Sequence, residues 1–467
     1  MIRHNRALAA ALALVVAGGC TDSDPQAPTP VLPQQYNGAA VQAIPENVLA
    51  SAVLVRAEAY DSAYISFHAG AAGPMSRTPA VGFAGDTVVR VPVLGLDTAT
   101  TYTFLVVLTL AGAPDRTVDS LPFTSGSLPS WIPLVGSIGT SAQSGSTILS
   151  LAGGAVIVDN TGKVVWYHAS PNATFNSVQA QPAGLYSIAG PGPVGSGFNL
   201  VNSLGEEVGT IACHGRPTRF HDVLLADAND AWVLCDETRS MDLSALGGQP
   251  AATVTATVVQ HLSPTGSVLW EWNAFDHFAI TDLPLADRAG AAVNFTHGNG
   301  IGFDSDYNLI LGFRSLNEIT KVNRTTGAVI WRFGGLANQF TILNDPKGSF
   351  QHQHGVRWAG PGQIQMLDNG SSPPSRMVRY LLDTSAMTAT LQWELIDAPT
   401  TYTAVGGSTQ YHLDGGGTVS FGLAGRVIEV EAAGAKTWEL TGLAGSYIFR
   451  VQRIGSLYNA GRGEPTR

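Results

Sequence analysis

A single unit recurs six times along the chain: a strand, a polar turn built from Asn, Asp or Thr with Gly, and a second strand that often carries tryptophan. The copies occupy residues 156–166, 200–208, 259–270, 320–331, 380–393 and 428–438. Turn glycines stand at Gly162, Gly205, Gly266, Gly327 and Gly434, whereas the fifth copy uses Ser385-Ala386-Met387. A hairpin this small cannot bury its own apolar face, so the repeats must stack on one another. An inner pair of strands precedes most copies, as in His221–Leu225 followed by Ala231–Leu234. Six repeats of four strands predict a six-bladed β-propeller over residues 131–458. The run Tyr447–Val451 has no repeat of its own and is expected to complete the first blade. Trp166, Trp270, Trp331, Trp393 and Trp438 fall at matching positions, the pattern of blade-to-blade packing.

The rest of the chain agrees with an all-β reading. With 13% charged and 45% hydrophobic residues and 53 glycines in 467, it is neither disordered nor a coiled coil. Residues 44–125 alternate apolar and polar side chains in short runs such as Val88–Val91, which predicts a β-sandwich. The segment Leu94–Phe104, with Tyr102, resembles the tyrosine corner of immunoglobulin- and fibronectin-like domains. The N-terminus combines Arg3 and Arg6 with an apolar stretch from Leu8 to Cys20, too short to span a bilayer. Residues 1–19 therefore read as a signal peptide. Ala17-Gly18-Gly19 before Cys20 resembles a bacterial lipobox, so Cys20 is the expected lipidation site, and residues 20–43 read as a tether. Export follows, with a lipid anchor in the cell envelope; Thr21 after the cysteine points to the outer membrane, facing the periplasm. In that compartment Cys213 and Cys235 are expected to form a disulfide. A net charge of −10 without a Lys/Arg run makes nucleic acid an unexpected partner.

Chemistry concentrates where inner strands begin. Three blades open with histidine: His221 in His-Asp-Val, His297 in His-Gly-Asn-Gly and His354 in Gln-His-Gly-Val-Arg. In a propeller these positions share one mouth of the central channel. Arg314 comes one strand down and one strand up from His297 and should return beside it, with Asn299 near. Imidazoles with a guanidinium and few acids suit a dense anion such as a sulfate or phosphate ester, with arginine and protonated histidine stabilising its oxygens. An imidazole can also attack sulfur directly. A tris-histidine metal site, with Asp222 as outer partner, is the competing chemistry, but no metal is expected. Phe220, Phe295 and Tyr402 are candidates for stacking on a phenol, and the loop 273–296 is long enough for a lid.

The stretches His297–Asp304, Gly312-Phe313-Arg314-Ser315, Val329–Gly335 and Gln353-His354-Gly355-Val356 resemble the bacterial arylsulfate sulfotransferase family, over most of residues 131–458. The resemblance implies an N-terminal β-sandwich, a six-bladed propeller, and transfer of a sulfuryl group from a phenolic sulfate to a phenol. It also implies a ping-pong route through sulfohistidine that needs neither a nucleotide sulfate donor (PAPS) nor a cofactor. Carried over by residue, His354 is the nucleophile, and His221, His297, Asn299 and Arg314 bind the sulfuryl oxygens and assist the leaving phenolate. His352, two residues earlier and on the same face of an extended strand, is the alternative nucleophile. Two other functions stay open: hydrolysis of sulfate or phosphate esters, and a non-catalytic binding propeller of the cell envelope.

Overall fold

The computed structural model describes residues 34–71, 73–170, 177–190, 196–227 and 230–459. The signal segment, Cys20 and the tether up to residue 33 lie outside the described residues. The chain forms two compact units. The first comprises residues through Gln42, Ala52–Val93 and Thr101–Thr124. It holds a three-stranded sheet, Gln35–Ala43, Ser51–Glu58 and Val88–Val93, and a second sheet ordered Ser76–Arg77, Ser62–Ala69, Thr101–Thr109, Arg116–Thr124. Alternation decides which side chains turn inward: Val89, Val91 and Val93 are buried, as are Tyr102, Phe104 and Val106. Residues 35–43 correct the tether boundary, because backbone pairing with Ser51–Glu58 makes a strand of a stretch that is weakly apolar in sequence.

The second unit comprises Ala43–Ser51, Leu94–Thr100 and everything from Ser125. It is all-β and propeller-like; among the described residues the only α-helical turn is Leu285–Arg288. Six antiparallel sheets follow one another in chain order. Their four-strand cores span Ser146–Ala169 with Val451–Ile454, Val178–Ile211, Thr218–Asn273, Gly298–Gly334, His354–Leu395 and Ser408–Thr441. Segments from before and after the series enter it. Val451–Ile454 pairs with Ser146–Leu149 as the innermost strand of the first sheet, and Gly136–Gly139 pairs with Trp438–Thr441 as the outermost strand of the sixth.

Turn chemistry explains why all six outer hairpins form where the repeat places them. Asp159, Asn202, Asn323 and Asp383 open their turns and accept backbone N–H groups with their own side chains. The turn then needs one left-handed residue, supplied by the repeat glycines and, in the fifth copy, by Met387 at φ 51°. Five outer hairpins slip register next to their turns, as expected when a left-handed residue inserts a bulge, and the fifth slips farther in, between Arg379 and Tyr380.

Neighbouring sheets are stapled by indole hydrogen bonds. Trp166 Nε1 donates to Ser203 O at 2.9 Å, Trp272 to Gly327 O at 3.1 Å, Trp393 to Ala432 O at 2.9 Å and Trp438 to Asn160 O at 2.8 Å. Each acceptor lies in an outer turn of the next sheet, and the last joins the sixth sheet to the first. In the third sheet this position belongs to Trp272, not the expected Trp270, which stays half-buried with its ring 5.4 Å from Trp232. Losing a buried hydrogen bond and stranding its carbonyl costs about 1–2 kcal/mol. We expect Trp438→Phe to lower the unfolding midpoint of this unit by that amount and Trp270→Phe to change it less, measured by denaturant titration.

Candidate active site

The three inner strands that carry the histidines all break register beside them. Pairing jumps from Thr218 to Val223 around His221, from Gly298 to Gly300 after His297, and from His354 to Arg357. The innermost pairs of the first, second and sixth sheets run without a slip. Bulges re-aim side chains at the cost of local pairing, and here they turn three imidazoles towards one another. Glycine follows two of them because the backbone there passes close to a neighbour. A Cβ on Gly298 would stand 2.6 Å from the Thr257 side chain, and one on Gly355 would stand 2.6 Å from Ser408 Cα. His297 itself sits at φ 49°, held by Thr257 Oγ1, which accepts from Gly298 N, and by Arg314 N, which donates to His297 O at 3.0 Å.

The imidazoles form one cluster. His221 Nε2 and His297 Nε2 are 3.0 Å apart, and the His221 and His354 ring centres are 6.5 Å apart. Phe449, from the segment before the closing strand, has its ring centre 5.4 Å from His221 and 6.2 Å from His354. Phe220 lies 4.2 Å from His221 on another side. Asn294 Nδ2 donates to His297 Nδ1 at 2.7 Å, so His297 carries its proton on Nε2 and donates it to His221. That leaves the His221 proton on Nδ1, a buried atom with no protein partner; Arg314 Nε is another. His354 is held at Nδ1 by Asn369 Oδ1 at 2.8 Å and His352 O at 2.9 Å, while Gly406 N–H approaches its Nε2 at 3.3 Å.

Charge around the cluster is positive, but the imidazoles are not its source. Burial pushes His221 and His297 well below the ordinary histidine value, helped by Arg219, and burial takes His354 down to about 4. Neutral imidazoles therefore replace the protonated ones expected from sequence, and the cationic field comes from guanidiniums. Arg314 stands beside His297, and Arg219, bonded to Asp236 at 2.8 Å, acts on both His221 and His297. Asp222 does not serve as an outer metal partner. Its fully buried carboxylate meets Arg357 at 3.1 Å and Arg450 at 3.2 Å and accepts from Ile301 N and Val223 N. Among the described residues no group of three or more His, Cys, Asp or Glu is arranged to hold a metal ion.

Other expected residues divide. Asn299 is buried with the cluster, but its Nδ2 is committed to Gln353 O at 2.6 Å and ties the fourth sheet to the segment entering His354. His352 does not share the face of His354: the strand starts only at His354, and His352 sits before it at φ 54°. Phe295 is a core residue near Phe275, not a wall of the site, whereas Tyr402 is half-buried near Arg314. The loop 273–296 is anchored rather than free, since Phe278 and Leu283 are buried and Ala292–Asn294 pairs with the third sheet. Cys213 and Cys235 are disulfide-bonded, Cα atoms 6.0 Å apart, at the entrance to the His221 strand. A cavity of about 600 Å³ is bounded by Pro284, Leu336, Lys347, Gln351, Gly370 and Ser372, and none of the three histidines lines it. Sequence reading missed Arg219, Arg357, Arg450, Phe449 and Asn369. Only Arg219 carried a usable signal, lying two residues before His221.

Fold and site together define an all-β, propeller-like protein with a buried cluster of three neutral imidazoles beside arginine. The chain belongs to the Arylsulfotransferase (ASST) family, which it matches over residues 146–441, more than half its length. Membership carries aryl sulfotransferase activity in general, with a phenolic sulfate as donor and a phenol as acceptor. No curated protein matches the chain in sequence. Among solved structures, a protein of unknown function from Bacteroides caccae aligns at 12% identity over 66% of this chain and 98% of its own, with a TM-score of 0.44. A virginiamycin B lyase from Staphylococcus aureus aligns at 9% identity over 65% of this chain and 87% of its own, with a TM-score of 0.36.

Two outcomes follow from the site's electrostatics. The His354 lone pair is lost only when pH falls through its folded value of about 4, so the acid limb of aryl sulfate turnover should lie near pH 4, not near 6.5. Stability runs the same way. The unfolded chain binds these protons at about pH 6.5 and the folded chain does not, so stability is full above that pH and falls as pH drops towards 4. Thermal melts across this range measure it. Asp222→Asn removes a buried carboxylate shared by two arginines and should cost about 3–5 kcal/mol of unfolding free energy by denaturant titration.

Proposed function

We propose that this chain is a PAPS-independent aryl sulfate sulfotransferase working by a ping-pong route through sulfohistidine at His354. The second unit is read as a six-bladed β-propeller whose ends are closed by the pairings of Val451–Ile454 and Gly136–Gly139. The first unit is read as a fibronectin-like sandwich. The observation that carries the reading is the contact set of His354. With Nδ1 engaged by two acceptors, Nε2 holds the lone pair, in a cluster kept neutral at physiological pH.

In the first half-reaction the Nε2 lone pair attacks sulfur, the S–O(aryl) bond breaks, and its electron pair leaves on the phenolate. Arg314 and the His221–His297 pair donate hydrogen bonds to the sulfuryl oxygens and assist the leaving phenolate, which takes its proton from solvent, and Asn299 keeps Gln353 and hence His354 in place. The second half-reaction reverses these steps on a phenol acceptor, whose proton passes to the His221–His297 pair. His352 remains the alternative nucleophile, to be separated by substitution. Location belongs to the same proposal: export behind the signal segment, lipidation at Cys20, and anchorage in the outer membrane facing the periplasm.

Brief exposure to 4-nitrophenyl sulfate should add about 80 Da, one SO₃ group, to the wild type and to His352→Ala but not to His354→Ala, read by intact mass. A phenol acceptor should then discharge the adduct and speed nitrophenol release. Discharge by water at the same rate would replace transfer with hydrolysis, and no adduct or turnover at all would leave a binding propeller.

A further inference from the structure

We propose that Asn369 is a positioning residue that sets which nitrogen of His354 attacks and how long the sulfated state survives. The inference rests on His354 as the nucleophile. Asn369 is fully buried and accepts at Oδ1, 2.8 Å from His354 Nδ1. Its amide cannot be turned over, because Nδ2 donates to two carbonyls, Thr403 O and Gly406 O, each at 2.9 Å. Turning it would place an oxygen against both carbonyls and an NH₂ group against the imidazole proton. The second neighbour of Nδ1, His352 O at 2.9 Å, is also only an acceptor. Two acceptors at Nδ1 require the proton there, and the Gly406 N–H facing Nε2 requires a lone pair on the other nitrogen. The Asn369 backbone is itself anchored, since Ser375 Oγ donates to the Asn369 backbone O at 2.8 Å and accepts from Thr403 N at 3.0 Å.

Neutrality is the second half of the proposal. When Nε2 bonds to sulfur and the aryl oxygen departs with its electron pair, Nδ1 keeps its proton and the ring becomes a sulfo-imidazolium cation. In the return step the acceptor oxygen attacks sulfur, the S–N bond breaks, its pair returns to Nε2, and the His221–His297 pair takes the acceptor's proton. A carboxylate at position 369 would pair with that cation, raise the His354 pKa and slow the return. An amide orients the ring without holding the charge, so the free imidazole stays unprotonated and the sulfated one stays reactive.

The test compares wild type, Asn369→Leu and Asn369→Asp by rapid-quench intact mass with 4-nitrophenyl sulfate across pH, with thermal melts confirming folding. Asn369→Leu should form the adduct about 10–100-fold more slowly, the usual scale for losing an orienting partner. Asn369→Asp should move the acid limb up by about 1–3 pH units and lengthen the adduct's lifetime without acceptor, neither of which a purely structural role would produce. ¹⁵N NMR of histidine-labelled wild type should find His354 protonated at Nδ1. Protonation at Nε2, or an Asp variant with unchanged limb and lifetime, would overturn the proposal. Should the variants not fold, the wild-type spectrum decides. An adduct absent from wild type, or present in His354→Ala, would instead sink the nucleophile assignment, while the tautomer still tests Asn369.

Discussion

Asp222 follows His221 in the chain and collects Arg357, Arg450 and the backbone N–H of Ile301 on one buried carboxylate. Those partners come from the fifth sheet, the segment entering the first, and the fourth sheet, so four sheets meet at one charge. A carboxylate in such a place is tolerable only because two guanidiniums and two amides surround it. The arrangement also explains why the histidines above it lie so close together. Arg450 donates to His221 O at 3.0 Å as well as to Asp222, so the contact that offsets the charge also fixes the backbone that carries the imidazole.

The clustered histidines come from three of the six sheets. The inner strands of the third, fourth and fifth sheets slip register at their histidines, while those of the first, second and sixth do not. The same division accounts for the neutral imidazoles. Bulging buries the rings among backbone and phenylalanine, which removes their charge, and leaves the positive charge of the cluster to guanidiniums such as Arg314, which is only partly enclosed.

Much of this was legible in the sequence, and the remainder was hidden for physical reasons. Outer hairpins announce themselves through local turn chemistry, with Asp159 or Asn202 and the following glycine within a few residues of each other. Their number and positions could therefore be read directly. The three histidines could be paired with strand starts for the same reason. What could not be read depends on distance along the chain. Asp222 and Arg450 are 228 positions apart, and nothing near Asn369 in Asp368-Asn369-Gly370 distinguishes it from an ordinary turn residue. Parity failed at His352 because alternation holds only inside a strand, and that residue precedes one at φ 54°. Trp270 and Trp272 are two residues apart on one strand, and only packing against the next sheet decides which indole reaches a carbonyl.

The segment Phe449–Ile454 has a consequence for how such a protein comes into being. It contributes the ring beside His221, the guanidinium on Asp222 and the innermost strand of the first sheet. A chain still being synthesised can carry all three histidines, correctly placed in their own hairpins, and yet have no finished pocket. The imidazole cluster is completed in one step, when Val451–Ile454 enters beside Ser146–Leu149 and brings Phe449 and Arg450 with it.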